Sequence, residues 1–172
     1  MKKIKLALDW TPNINHIGVL VAMKRGFYEE NDLKVEFLTP EFDDYSITPA
    51  KKVELGISDF GLCPTESLIS FRTKDNPFII EGLMTIFQED VSAIATIKSS
   101  NILRPKDLDD MSYASYKARY EDEIVKKMIY NDGGAGRLKI HYPKRLGIWR
   151  TLIDNKYDLN QLYIFFKKMT LI

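Results

Sequence analysis

Residues 4–38 read IKLALDWTPNINHIGVLVAMKRGFYEENDLKVEFL, and the changes of pattern inside them decide the fold class. Ile4, Leu6, Leu8 and Trp10 alternate with Lys5, Ala7 and Asp9, which is the period of two of a strand. Thr11-Pro12-Asn13-Ile14-Asn15 is turn chemistry. From His16 to Arg25 the chain is apolar-rich with helical spacing, and Gly26 is a stop signal. Leu33, Val35 and Phe37 then alternate with Lys34 and Glu36, giving a second strand that ends at Pro40. Strand, helix and strand in this order form a βαβ unit, which joins parallel strands.

The same grammar continues outward. A helix falls within Ile47 to Glu54 and ends at Gly56. Asp59 to Cys63 reads as a buried strand, and Pro64-Thr65-Glu66-Ser67 opens a helix running toward Thr73, with Thr65 or Ser67 as its cap. Phe78 to Phe87 is a further strand candidate. Gln88-Glu89-Asp90 is a polar break, and a lobe boundary is expected near residues 88–91. Beyond it come a strand over Ser92–Ile97, a single turn or loop at Arg104–Leu108, and a strand over Met111–Ser115. The clearest helix spans Tyr120 to Asn131, with i,i+4 pairs Asp122–Lys126 and Glu123–Lys127 and a stop at Gly133-Gly134. Leu138–Tyr142 reads as a strand and Leu146–Asn155 as a helix. The tail from 159 is apolar without a clean period, fitting a short helix packed on the second lobe or a poorly folded end. The expected organisation is a first α/β lobe at 1–90, a partial second lobe at 91–158 and an atypical tail at 159–172, with mostly parallel sheets.

Composition narrows the function classes. The 172 residues suffice for one ordinary domain or two small ones, and 45% hydrophobic with 12% aromatic content supplies a core. The formal net charge of +1 gives no nucleic-acid or membrane-surface footprint. One cysteine, Cys63, excludes an internal disulfide framework, and two histidines, His16 and His141, show no metal-ligand spacing, so no metal is expected. No apolar run approaches the roughly 20 residues of a membrane span. Met1-Lys2-Lys3-Ile4-Lys5 is basic but leads into no apolar signal core. The expectation is a cytoplasmic protein as written, or a periplasmic or cell-surface one if a leader has been removed.

Several segments together carry a resemblance. They are Leu8-Asp9-Trp10-Thr11-Pro12-Asn13-Ile14-Asn15-His16, Lys24-Arg25-Gly26-Phe27-Tyr28, Asp44-Tyr45-Ser46-Ile47-Thr48-Pro49, Asp59-Phe60-Gly61 and Pro64-Thr65-Glu66-Ser67-Leu68-Ile69-Ser70. Arg104-Pro105-Lys106-Asp107-Leu108, Asp132-Gly133-Gly134, Gly147-Ile148-Trp149 and Tyr157-Asp158 complete the set. In this order they resemble the solute-binding proteins of thiamine-pyrimidine ABC importers and the related pyrimidine-precursor synthases. The resemblance covers about residues 4 to 158. It implies a type II periplasmic-binding-protein fold, with two α/β lobes, a hinge and a small molecule held between them. Family members are longer and return to the first lobe, whereas this chain is expected to stop inside the second lobe. Leu159-Asn160-Gln161 and the tail also replace a small-and-aromatic stretch leading to a Trp-Glu pair, as in a truncated or frame-shifted product.

Candidate ligand contacts follow from strand ends, where parallel sheets bind ligands. Trp10, Asn13, Asn15 and His16 follow the first strand. An aromatic face with amide and imidazole donors suits a flat heterocycle such as an aminopyrimidine. The residues alone favour Trp10 in the core and Asn13 and Asn15 as turn-makers; the resemblance favours the cleft for Trp10 and His16. Pro64, Thr65, Glu66 and Ser67 follow the third strand, where amides and hydroxyls could hold a polar group and Glu66 could accept from an exocyclic amine, or where Thr65 merely caps and Glu66 is solvated. Cys63 reads as a small buried hydrophobe. In the second lobe Ser115, Tyr116, Tyr120 and Glu121 stand where the family has a ligand-facing loop, with Lys117 and Arg119 as anion partners or solvated cations. Gln88 and Asp90 read as hinge residues and His141 as structural.

Three readings remain. The first is a receptor for a pyrimidine thiamine precursor, partnered by an importer permease, with no cofactor and no catalytic residue. The second is the synthase branch, which resemblance links to pyridoxal phosphate, iron, a Schiff-base lysine and a sacrificial histidine near Cys63–Ser67. Neither residue type stands in that stretch, and the cysteine-rich iron segment has no counterpart. A cytoplasmic sensor or a non-functional fragment sharing the lobe fold is the third, blander alternative. Apolar surface left by a missing returning segment would favour a homodimer.

Overall fold

β1 (Lys2–Ala7) sits where the sequence alternates, and it organises the first sheet. The computed structural model of the chain describes residues 1–87, 93–96, 100–115, 117, 120–142, 161–165 and 169–171. β1 pairs in parallel with β2 (Leu33–Leu38) over its full length, Lys2 opposite Leu33 and Ala7 opposite Leu38. On its other side it pairs in parallel with β3 (Phe60–Pro64) through Leu6 and Ala7. Leu6, Leu8 and Leu62 are buried together beneath Val19, Val35 and Phe37.

Each crossover is built from local signals. A 3-10 turn at Ile14–His16 leads into α1 (Ile17–Lys24), and Gly26 closes it at φ +77°, a left-handed geometry that glycine adopts without a Cβ clash. α2 (Pro49–Glu54) begins with Pro49 at its first turn, and the Thr48 hydroxyl accepts the Lys51 N–H. Gly61 in β3 lets this helix approach, because a Cβ there would lie 3.1 Å from the Pro49 Cβ and carbonyl oxygen. α3 (Glu66–Thr73) follows β3 directly. Ala50, Cys63, Phe71 and Ile80 form a second buried cluster, with the lone thiol packed as a small apolar group.

The run from Phe78 to Phe87 forms only a two-residue strand, β4 (Met84–Thr85). Its earlier part is tied to α3 instead: the Phe78 N–H bonds the Phe71 carbonyl, and Arg72 Nε donates to the Ile80 carbonyl. Those bonds satisfy backbone groups that a longer ladder would have needed.

The second sheet contains β5 (Ala93–Thr96), β6 (Met111–Ala114), β7 (Leu138–His141) and β8 (Gln161–Phe165), in the order β5-β8-β6-β7. β6 is parallel to β7 and β8, and β5 is antiparallel to β8. α4 (Glu121–Asn131) presents Glu121, Val125 and Ile129, one turn apart, as buried residues. Val125 and Ile129 pack with Leu108 and Tyr113. The expected i,i+4 pairs on α4 do not form. Lys126 bonds Glu123 at 2.8 Å instead, the Asp122 carboxylate accepts the Tyr142 hydroxyl, and Lys127 lies over the Tyr130 ring. Exposed i,i+4 ion pairs contribute only a few tenths of a kcal/mol, about 0.3–0.5, so such alternatives displace them easily.

The tail also differs from expectation. Residues 161–165 are a strand of the second sheet, and β9 (Met169–Leu171) lies in the first sheet between β3 and β4, antiparallel to both. The chain therefore returns to the first sheet, against the reading that it stops inside the second lobe. A three-residue strand has no period to read; two waiting partner edges define it. The first sheet thus runs β2-β1-β3-β9-β4. The chain divides into one unit of residues 1–90 with 168–172 and another of 91–167. The expected helix at 146–155 and the hinge residues Gln88 and Asp90 fall outside the described residues.

Candidate functional site

Because β1, β2 and β3 are parallel, the segments leaving Ala7, Leu38 and Pro64 emerge from one edge of the first sheet. That edge is where ligands of parallel sheets are held.

The segment after β1 is a closed hydrogen-bonded loop. The Asn13 side chain is engaged at both ends: its oxygen accepts the Asn15 N–H at 2.8 Å, and its amide donates to the Thr11 carbonyl at 2.8 Å. His16 is 1% exposed. Its Nδ1 accepts the Asn13 N–H at 3.1 Å, which leaves the proton on Nε2, and Nε2 donates to Asp9 Oδ1 at 3.0 Å. Burial pushes the imidazole below its ordinary value, consistent with a neutral ring. Asn13 and His16 therefore shape the loop; both His16 nitrogens are engaged within it, while the half-buried Asn13 amide keeps a second N–H and a second oxygen lone pair.

Trp10 is half-buried and meets Tyr45 from the segment after β2, ring centroids 5.1 Å apart and planes tilted by 57°. The Tyr45 hydroxyl and Thr11 Oγ1 share a hydrogen bond of 2.8 Å, which ties the two segments together. Asp44 and Tyr45 both hold left-handed backbone, at φ 50° and 60°. Such geometry costs a non-glycine residue about 1–2 kcal/mol, so surrounding contacts must hold it. The preceding 3-10 turn, Pro40–Asp43, supplies them: the Tyr45 N–H bonds the Pro40 carbonyl, and Asp43 pairs with Lys52 at 2.7 Å. Glu41 in this turn is held below the ordinary carboxylate range, chiefly by the Thr39 hydroxyl.

Pro64 ends β3, and Thr65, Glu66 and Ser67 begin α3, all half-buried. Thr65 occupies the cap position but its hydroxyl makes no capping bond, contrary to one of the two readings of this stretch. Four of the candidates belong to the other unit. Ser115 is buried, its N–H bonding the His141 carbonyl and its Oγ accepting the Lys117 N–H. Glu121 is buried against the Tyr113 hydroxyl, which donates to it; burial and this carboxylate push the phenol far up. Tyr120 is half-exposed at φ 65°, and Tyr116 lies outside the described residues, as does Arg119. Lys117 lies over the Tyr142 ring at 5.4 Å.

The structure thus brings Trp10, Asn13 and His16 into one loop and places Pro64–Ser67 at the neighbouring strand end. Sequence reasoning passed over Asp9, Thr11, Asp43, Tyr45 and Lys52 as site elements. Asp43-Asp44-Tyr45, polar turn chemistry with an aromatic just past the end of the second parallel strand, marked one of these segments but not its contacts. The sizeable surface depression among the described residues, about 620 Å³, runs along α4 beside Ile124, Lys127 and Met128, on the other unit from the Trp10 loop. It is shallow. Among the described residues no three His, Cys, Asp or Glu side chains gather as a metal site requires.

The sequence pattern of the family described as NMT1/THI5 like matches residues 13–140. A 4-amino-5-hydroxymethyl-2-methylpyrimidine phosphate synthase of Legionella pneumophila is 30% identical over 127 residues, 74% of this chain and 37% of the relative. A formylaminopyrimidine-binding protein of Halalkalibacterium halodurans is 22% identical over 136 residues, 78% of this chain and 39% of the relative. The chain spans about 40% of the length of the curated relatives it matches. Among solved structures, the periplasmic aliphatic sulphonate binding protein SsuA of Escherichia coli superposes with a TM-score of 0.61 at 11% identity, over 97% of this chain and 55% of that one. The fold is that of type II periplasmic-binding proteins, as the resemblance implied.

Proposed function

The chain belongs to the NMT1/THI5-like family, and on that premise we propose that it binds an aminopyrimidine precursor of thiamine as the receptor of an ABC importer. The observation that carries this reading is the Trp10–Tyr45 aromatic pair at the carboxyl edge of β1 and β2. A flat heterocycle gains most from an aromatic face backed by a fixed loop, and here the loop is fixed by bonds that leave the ring faces as its chemical offering. Pro64, Thr65 and Ser67 would line the adjoining strand end, and Glu66 would accept from the exocyclic amine. Ser115, Tyr116, Tyr120 and Glu121 are the ligand contacts proposed for the second unit. A permease partner belongs to the same proposal.

The synthase reading is favoured by one observation, the 30% identity to the Legionella pneumophila enzyme. Against it, the stretch Cys63-Pro64-Thr65-Glu66-Ser67 ends a buried strand with neither a lysine nor a histidine, so pyridoxal phosphate does not fit there.

Calorimetric titration with 4-amino-5-hydroxymethyl-2-methylpyrimidine tests the proposal. Binding is expected, and Trp10→Ala is expected to weaken it more than tenfold, about 1.4 kcal/mol. An unchanged Kd removes Trp10 from the site. A rise in melting temperature with pyridoxal phosphate, and none with pyrimidines, would turn the assignment toward the synthase.

A further inference from the structure

We propose that the buried Lys52–Asp43 ion pair is a positioning device for ligand binding: it holds the strained turn that carries Tyr45 and so presets the Trp10–Tyr45 aromatic pair. The binding half of this inference rests on the pyrimidine reading above; the positioning half stands on geometry alone.

Lys52 lies on α2 and is only 4% exposed. A buried ammonium is costly unless paired, and Asp43 Oδ2 meets it at 2.7 Å. The other Asp43 oxygen is buried with no hydrogen-bond partner, so this carboxylate depends on Lys52. Apolar pairs of similar volume often serve stability as well as buried ion pairs do, which points to a role in geometry. The geometry at stake is adjacent. Asp43 closes the turn Pro40–Asp43, its carbonyl accepts the Ser46 N–H, and the two residues between, Asp44 and Tyr45, are both left-handed. Tyr45 then reaches Trp10 by its ring and Thr11 by its hydroxyl. Lys52 acts through Asp43 and the backbone of the turn.

The test compares Lys52→Met, Lys52→Arg and Asp43→Asn in the full chain. Hydrogen exchange of the peptide spanning residues 39–47 is read beside peptides of β1 and β3, and Kd for 4-amino-5-hydroxymethyl-2-methylpyrimidine is read by calorimetry. Lys52→Met is expected to speed exchange at 39–47 at least tenfold with β1 and β3 unchanged, and to weaken binding at least tenfold. Lys52→Arg, which keeps the charge, is expected to restore both to within about threefold. Asp43→Asn, which keeps the shape, reproduces the Lys52→Met exchange pattern and serves alone if that variant does not fold. Unchanged exchange at 39–47, or an equal rise across all three peptides, overturns the inference. If the unmodified chain binds no pyrimidine, the functional reading fails while the exchange comparison still decides the role of Lys52.

Discussion

Replacing His16 with phenylalanine isolates the two hydrogen bonds that close the loop after β1. The ring is buried, so an aromatic substitute keeps most of the packing and removes only the nitrogens. Two groups then lose partners. The Asn13 N–H loses its acceptor at 3.1 Å, and Asp9 Oδ1 loses its donor at 3.0 Å. Asp9 is itself 3% exposed at its side chain, so water does not replace the lost donor. A buried group left unsatisfied costs about 1–3 kcal/mol. Asp9 keeps other contacts, which places the sum near the lower half, about 3 kcal/mol. For a chain of 172 residues this lowers Tm by roughly 6–12 °C, read by circular dichroism during thermal unfolding. Asn13→Ala, which removes only the turn's side-chain bonds, is expected to cost about 1 kcal/mol. In a double-mutant cycle with Asp9→Asn, the pair should show a coupling of at least about 1 kcal/mol. A Tm within about 2 °C of the parent, with no coupling, refutes the closed loop and with it the account of why Trp10 is held in place.

Two further outcomes follow from buried groups. Because burial lowers the folded-state pKa of His16 below 6.5, the unfolded chain binds the extra proton first, and stability falls as pH drops below about 6.5 toward the folded value. Urea midpoints from pH 7.5 to 5.5 should show this slope, and His16→Phe should lose it; identical slopes would contradict the neutral buried ring. In the second sheet, Tyr113→Phe takes the hydroxyl from Glu121 while keeping the ring, and should lower stability by about 1–3 kcal/mol. An unmoved urea midpoint would mean that Glu121 has no need of that donor.

The regular elements were legible because each is written by one face. Leu6 and Leu8, Val35 and Phe37, and Val125 and Ile129 each mark a side that the fold buries or packs. Short pieces defined by partners were not legible: β4 has two residues, β9 has three, and neither can show a period. The site divided in the same way. Trp10, Asn13 and His16 were found as a group because turn chemistry after a strand is local. Their division of labour was hidden, since the Asp9 carboxylate that engages His16 lies seven residues away, on the other side of a proline-containing turn. Tyr45 and Lys52 were missed because their importance lies in contacts with Trp10 and Asp43, pairings that no spacing rule encodes.

The placement of β9 has a consequence for how the chain is made. Residues 2–64 can assemble β2, β1 and β3 as soon as they emerge, but the outer side of β3 must wait for residues 169–171. At about 5–20 residues per second, roughly a hundred intervening residues leave that side open for about 5–20 s. An open strand edge can pair with other chains, and Pro64, which lacks an N–H, blunts only one end of it. Translation speed between β4 and β9 therefore governs how long a nascent chain is exposed to its neighbours, and slow codons placed there should lower soluble yield without altering a single residue.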